Sequence, residues 1–203
     1  ESVLQREDGT LYLTAKRLSL EPAAGCRVFF FRWLPLEQPQ QNAGITVRNF
    51  KTRPAKKEFS RQNNTFDADT LHVAQSFCVS AQPVLLTGGP GVGKAELALS
   101  IHRYSDRWMR PFVQIDCVAA DPAGIFAWLD QSAQAIRGGA TVCFEALDTL
   151  DQSSQQRLSE VLEAMDPKAW RFIATAQADI QRRARSGLFH EKLCRFFSQL
   201  CLC

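Results

Sequence analysis

One short segment combines the residue types that bind phosphate groups, Thr87-Gly88-Gly89-Pro90-Gly91-Val92-Gly93-Lys94. It follows a short apolar run, residues 83–87, and precedes a stretch with helical patterning, residues 94–104. Glycines let the backbone curl so that successive N–H groups face one phosphate, and the positive end of the following helix adds to the attraction. Lys94 would contact the β- and γ-phosphates of a nucleotide. The segment therefore predicts a Walker A loop rather than a glycine-rich turn without a ligand.

The residue after Lys94 departs from the generic Walker A pattern. It is Ala95, where most such loops have a Ser or Thr whose hydroxyl coordinates Mg²⁺. We therefore expect the loop, with Ala95 included, to bind ATP or ADP and to hold Mg²⁺ only weakly.

The chain around the loop alternates between short apolar runs and amphipathic stretches. Such alternation predicts a parallel sheet with helices on both faces. We thus expect an α/β fold, a P-loop core with a doubly wound parallel sheet. The predicted strands are 83–87, 112–116, 141–144 and 170–176. The predicted helices run from Asp67 or Asp69 to Cys78, then over 94–104, 122–136, 152–165 and most of 178–197.

Two further regions precede this core. Residues 1–36 are predicted as strand, turn and strand, with alternating apolar residues at 11–16 and a second apolar run at 26–34. Because two strands alone are only marginally stable, either more strands lie upstream of Glu1 or the ribbon packs on something else. Residues 37–65 are rich in Gln, Asn, Pro and Lys and are predicted as a linker. The predicted core spans residues 66–203.

The composition excludes several classes of protein. The 203 residues are 45% hydrophobic and 22% charged, and the net charge of +3 is too small by itself to indicate nucleic-acid binding. The seven cysteines include no C-x-x-C pair, so neither a disulfide framework nor a zinc site is predicted. No apolar run approaches the roughly 18 residues of a membrane span, and no basic leader opens the chain. We expect a cytoplasmic protein without membrane contact.

The region from the loop to the C-terminus resembles the AAA+ domain of bacterial sigma-54-dependent transcriptional activators. Four blocks carry the resemblance: residues 88–117 with the P-loop, a Walker B segment GGATVCFEALDTL, a sensor I strand WRFIATAQADI and an arginine-finger helix SGLFHEKLCRFF. They span about two thirds of the chain. The ribbon at 1–36 resembles the last two strands of a PAS-type sensory domain, which often precedes this module.

The Walker B segment departs from what this resemblance implies. The family's strand ends in an Asp that holds Mg²⁺ and a Glu that polarises the attacking water, and the matching residues are Glu145 and Ala146. Glu145 keeps a negative charge for the metal, whereas Ala146 has no group for general-base work. A shifted alignment would recruit Asp148, which lies past the expected strand end. The sensor I position, usually Asn, is Gln177, whose amide would sense the γ-phosphate.

The family's two trans-acting arginines also have no counterpart in direct alignment. They fall at His190 and Phe196. An arginine finger neutralises charge that develops on the γ-phosphate and is worth about three to five orders of magnitude in rate. His190 is a partial substitute and Phe196 is none. Arg195 is either a finger in a shifted register or a surface charge. We therefore predict no catalytic residue, and hydrolysis that is very slow or absent.

The family's output element is missing as well. Its long insertion between the second and third strands, with the GAFTGA loop that contacts sigma-54, has no counterpart in residues 118–137, which have room for one helix. Sigma-54 contact is thus not expected. The resemblance also implies self-association through the AAA+ face, and a lid and a DNA-binding domain that this chain lacks.

The expected function is that of an ATP-binding module of a bacterial transcriptional regulator. Two alternatives stay open. One is an active AAA+ ATPase, either an oligomeric activator or a helicase-loader-like protein. The other is an interaction scaffold that binds no nucleotide.

Overall fold

The computed structural model describes residues 2–6, 9–13, 44–55, 59, 66–136, 138–176, 180–197 and 200–202. Its contacts divide the chain into two compact units, Glu1–Gln40 and Gln41–Cys203. In the first unit, strands β1 (Ser2–Arg6) and β2 (Gly9–Leu13) form an antiparallel pair. The sequence predicts the start of β2 only approximately and does not predict β1. The predicted second strand, 26–34, lies outside the described residues.

The second unit is built on a six-stranded sheet. In spatial order its strands are β3 (Ile45–Arg48), β5 (Phe112–Asp116), β6 (Thr141–Glu145), β7 (Arg171–Ala176), β4 (Val84–Thr87) and β8 (Leu200–Leu202). β3 runs antiparallel to β5, and the other neighbours are parallel. β4 lies between β7 and β8, so the chain winds across the sheet in both directions. The predicted doubly wound α/β fold is confirmed.

Helices connect these strands. In chain order they are α1 (Ala68–Cys78), α2 (Lys94–Tyr104), α3 (Pro122–Ala135), α4 (Gln152–Ala164), α5 (Ile180–Arg185) and α6 (Glu191–Phe197), with a 3₁₀ turn at Leu147–Thr149. Asp67, Asp121 and Asp151 each cap a helix by accepting a backbone N–H three residues on, at 2.7, 3.3 and 2.8 Å. Each such cap contributes about 1 kcal/mol, which is why these starts follow the sequence closely. None of the helices in the described ranges is long and apolar enough to cross a membrane.

An apolar cluster covers each face of the sheet. Successive residues of β4 alternate between the clusters, since Leu85 belongs to one and Leu86 to the other, both 1% exposed. This two-sided burial is what a parallel sheet between two helical layers requires. It leaves the carboxyl ends of the strands as the open edge, where loops can bind ligands.

Three features of this unit differ from the sequence prediction. β3 lies inside the range predicted as a linker. The sequence does not predict it, because three of its four residues are exposed and it is held by pairing with β5 rather than by an apolar pattern. The predicted helix over 178–197 is instead two helices, separated by a turn at Gly187 with φ of +70°. β8 was not predicted, since three residues are too short to show a strand pattern.

Candidate nucleotide-binding site

The glycine-rich segment connects the carboxyl end of β4 to the start of α2. Gly93 is the residue that caps α2, with φ of +88°, a conformation that favours glycine, and no side chain caps this helix end. The first N–H groups of a helix have no partners within the helix, so they remain available to an anion. The strand, loop and helix are therefore arranged as the predicted Walker A loop requires.

The Lys94 side chain folds back over this loop. Its Nζ donates hydrogen bonds to the carbonyl oxygens of Gly88 at 2.8 Å and Gly89 at 2.5 Å. The ammonium group is thereby held beside the loop rather than extended into solvent. A phosphate bound on the loop would offer it stronger, charged acceptors.

A cavity of about 320 Å³ opens on one side of the loop. It brings together residues that are far apart in the sequence, from the loop and from the ends of three strands. Its lining includes Pro90, Gly91, Gly93, Lys94, Ala95, Glu96, Asp116, Glu145, Ala146, Thr175 and Ala176. Part of the predicted Walker A segment, including Lys94, thus faces the same space as Glu145 and Ala146.

A second cavity, of about 370 Å³, lies on the α1 side of the loop. Phe66, Asp67 and Thr70 line it from the start of α1, and Val92 and Leu97 line it from the loop and α2. Gly88 of the predicted loop also lines this second cavity, and Gly91 and Lys94 line both cavities. The loop is therefore flanked by one carboxylate-rich and one partly apolar space.

Negative charge is concentrated around Glu145. Burial, followed by the neighbouring Asp116 carboxylate, raises the pKa of Glu145 above its usual value, and Glu96 adds to the rise. A hydrogen bond from Gln114 Nε2 to Glu145 Oε1 at 2.8 Å opposes it. A cation near Glu145 would relieve this repulsion.

A divalent metal would need ligands beyond the protein. Within the described residues, no three His, Cys, Asp or Glu side chains are arranged to hold a metal ion. Mg²⁺ usually takes one or two carboxylates together with phosphate oxygens and water. Glu145, with Asp116 beside it, fits a metal that enters with a nucleotide, and does not fit a metal cage made by the protein alone.

The turn after β6, residues 146–149 and termed here the Walker B turn, presents the methyl group of Ala146 to the first cavity. Ala146 has φ of +51°, in the left-handed region, and its N–H donates to Thr175 Oγ1 at 3.2 Å. Asp148 follows in the 3₁₀ turn, lines neither of the two cavities and has its carboxylate 3.3 Å from Arg183 Nη1. The alternative alignment, in which Asp148 replaces the missing Glu, therefore has no support from the geometry.

The two positions of the family's arginines lie away from both cavities. The backbone N–H of His190 donates to Gln155 Oε1 at 2.8 Å, and the Phe196 ring packs on Phe172 at 5.8 Å between centroids. Arg195 is 71% exposed and pairs with Glu191 at 3.0 Å on the same helix, as a surface charge does. The predicted sensor residue, Gln177, lies outside the described residues.

Sequence reasoning missed several residues around Glu145. Asp116 ends β5 directly opposite Glu145 in the parallel pairing, Gln114 lies two residues earlier, and Thr175 lies near the end of β7. The sequence could have indicated Asp116 and Thr175 through the rule that the carboxyl ends of parallel strands meet at one edge of the sheet. The interval between β5 and β6 is confirmed as a single helix, α3, with Ile125 and Leu129 each 1% exposed.

The sheet order, the P-loop and the cavities at the carboxyl edge together define a P-loop AAA+ core. The profile of the family described as the sigma-54 interaction domain matches residues 70–203, and the chain belongs to this family. A Bacillus subtilis (strain 168) protein, named as a sigma L-dependent transcriptional regulator, is 26% identical over 142 residues, which cover 64% of this chain and 40% of that protein. This chain thus spans less than half of that relative.

Solved structures share the fold. The P-loop NTPase domain of a sigma-54 transport activator from E. coli matches with a TM-score of 0.51 and 19% identity, over 73% of this chain and 95% of that chain. NtrX from Brucella abortus in complex with ATP matches with a TM-score of 0.57 and 17% identity, over 74% of this chain and 38% of that chain. At these identities the likeness shows the fold.

Proposed function

We propose that this chain is the ATP- or ADP-binding module of a bacterial transcriptional regulator and that it hydrolyses ATP very slowly or not at all. The observation that carries the proposal is the start of α2, where Gly93 leaves the first helical N–H groups without a side-chain cap and Lys94 lies between two cavities. Backbone N–H groups and one lysine are what a nucleotide's β- and γ-phosphates need.

Each cavity has a proposed role in this binding. The first would take the terminal phosphates, with Mg²⁺ entering beside Glu145, and Gln177 would sense the γ-phosphate. The second would take the base and ribose, because Phe66 and Leu97 give it apolar walls and Asp67 and Thr70 give it polar groups. The absence of a hydroxyl at Ala95 leaves the metal held mainly by the nucleotide.

Slow hydrolysis follows from two separate losses. The methyl group of Ala146 cannot orient water, and neither His190 nor Phe196 supplies the charge of an arginine finger. Repair of one loss alone would recover little, since such residues work as a unit. In steady-state phosphate release, the double variant Ala146→Glu with His190→Arg would then gain more than the product of the gains of the two single variants. Turnover of the unmodified protein near one per second would overturn this part of the proposal.

The partners follow the family with one exception. We propose self-association through the AAA+ face, DNA binding only through a further domain, a PAS-like sensory role for residues 1–36 and a cytoplasmic location. Contact with sigma-54 through a GAFTGA loop is not proposed, because the interval that would carry it is the packed helix α3. ATP-dependent open-complex formation by a protein that contains this chain, with sigma-54 polymerase, would contradict this.

Calorimetric titration tests the binding itself. Unmodified protein is expected to bind ATP or ADP with micromolar affinity, and Lys94→Ala is expected to weaken it by at least about tenfold, or 1.4 kcal/mol. Lys192→Ala, on the exposed side of α6, is the control and is expected to bind as the unmodified protein does. Equal affinity of the Lys94 variant, or no binding by any protein, would overturn the proposal.

A further inference from the structure

A line of hydrogen bonds leads from the first cavity to the turn after β6. Ala146 and Thr175 both line that cavity, and the Ala146 N–H donates to Thr175 Oγ1 at 3.2 Å. The Ala146 carbonyl oxygen then accepts bonds from both the N–H and the hydroxyl of Thr149, at 2.9 and 2.8 Å. Asp148 lies inside this closed turn, so movement of Ala146 must move Asp148.

Arg183 reaches that turn from α5. Its Nη1 donates to the Asp148 carbonyl oxygen at 2.9 Å and to the Asp148 carboxylate at 3.3 Å. The Asp148 side chain is only 9% exposed, and that of Arg183 is 32% exposed. Solvent therefore screens this pair less than it screens the 71%-exposed pair of Arg195 and Glu191. Two acceptors on one residue also fix the direction of the guanidinium group.

Residues 180–197, termed here the α5–α6 segment, are held at further points by α4. Gln152 Nε2 donates to the Gly187 carbonyl oxygen at 3.2 Å, and Gln155 Oε1 accepts the His190 N–H at 2.8 Å. α4 itself begins directly after the 3₁₀ turn, at the Asp151 cap. The segment that contains His190 is thus attached to the Walker B turn directly through Arg183 and indirectly through α4.

We propose that Arg183 is a positioning residue that couples nucleotide occupancy of the P-loop cavities to the conformation of the α5–α6 segment. The coupling rests on the proposed nucleotide binding. Ala146 occupies a sparsely populated backbone conformation, so contact with a ligand on its cavity face can shift the turn readily. Arg183 follows because both acceptors of its Nη1, the Asp148 carbonyl oxygen and carboxylate, belong to that turn. By linkage, loss of Arg183 must then also change nucleotide affinity.

Amide hydrogen exchange of residues 180–197 with and without ATP tests the coupling, with calorimetry on the same samples. In the unmodified protein ATP is expected to change exchange in this segment by about fivefold. Arg183→Met is expected to abolish that change while ATP still binds with altered affinity. Arg185→Met removes an exposed arginine from the same helix and is expected to keep the change. Arg183→Lys, which keeps a charge and a donor, is expected to restore part of it.

Several results would overturn the coupling. They are a full ATP-induced change in Arg183→Met, an equal loss in Arg185→Met, or no change in the unmodified protein although calorimetry shows binding. If calorimetry shows no binding of ATP by the unmodified protein, the proposed function itself is refuted, which is a different outcome from binding without coupling. If Arg183→Met does not fold, Asp148→Asn is measured instead; it keeps the main-chain acceptor and is expected to lose part of the change. A full change in Asp148→Asn would then overturn the coupling.

Discussion

Acidification is expected to destabilise the core through one buried imidazole, that of His102. The side chain is 0% exposed, with Nδ1 2.9 Å from Thr141 Oγ1 and the ring 5.8 Å from Phe50 and 5.2 Å from Phe112 between centroids. Nε2 has no hydrogen-bond partner in the described part of the chain. A second proton on this ring would therefore place a buried positive charge among aromatic groups.

The size of the effect follows from the pKa of His102. Burial first, and then the Arg171 guanidinium with smaller effects of Arg103 and Arg107, lowers this pKa from 6.5 to about 4, against an opposing effect of the Arg110 backbone. The unfolded chain therefore takes up the proton before the folded protein does. The folded protein therefore keeps its full stability with respect to His102 above pH 6.5, and it loses stability as the pH falls from 6.5 to about 4. A difference of that size corresponds to about 3 kcal/mol, a large part of a typical domain stability.

Urea unfolding at pH 7, 5.5 and 4 measures this loss. The unmodified protein and His72→Gln, a change at an exposed histidine of α1, are expected to lose about 3 kcal/mol more than His102→Gln over this range. His102→Gln is expected to lose much less, whatever its stability at pH 7. The helix cap Asp151 does not confuse the comparison, because its hydrogen bonds lower its pKa from 3.8 to about 2. An equal pH dependence in His102→Gln and the unmodified protein would refute the reasoning.

Three further changes test the packing in urea unfolding at pH 7. Arg171→Met is expected to leave the free energy of unfolding unchanged or to raise it. Arg171 is 1% exposed, burial lowers its pKa to about 10, and two of its nitrogens lack partners among the described residues. A loss of stability above about 2 kcal/mol would contradict this. Arg107→Met is expected to cost about 2 kcal/mol, because its guanidinium bonds three carbonyls of residues 167–169 at 2.7 to 3.2 Å; an unchanged midpoint would show that these bonds contribute nothing. Ala146→Gly is expected to be neutral or stabilising, since a left-handed conformation costs an L-residue about 1–2 kcal/mol. The control Ala98→Gly, inside α2, is expected to lose about 1 kcal/mol. Equal losses of stability in the two variants would argue against strain at Ala146.

The parts of the fold that the sequence predicts well are those with local signals. α2 begins and ends where its pattern indicates, because the loop glycines precede it and apolar residues repeat along one face. β3 carries no such signal, since its position depends on hydrogen bonds to β5, about seventy residues away in the chain. The break between α5 and α6 depends on one glycine within an otherwise helical composition.

The candidate site divides in the same way. Lys94 and Glu145 follow from motifs, because each motif is a contiguous string with a fixed place on a strand or helix. The hydrogen bond from Gln114 to Glu145 and the pair of Arg183 and Asp148 join residues 31 and 35 positions apart. Neither type nor spacing marks such pairs in a single sequence, so they require the folded arrangement.

A site that binds nucleotide but does not hydrolyse it suits the proposed coupling. The groups that would hold phosphate, backbone N–H groups and Lys94, depend on the conformation of the loop, which is intact. The groups that hydrolysis requires are side chains, and the proposed alignment with the family puts Ala146 and Phe196 at two of these positions. Occupancy would then follow nucleotide concentration rather than turnover, with a stabilisation of about 2.7 kcal/mol at a hundredfold excess over Kd. Arg183 would transmit a lasting ligand state to the α5–α6 segment, whereas rapid hydrolysis would reset it within each cycle.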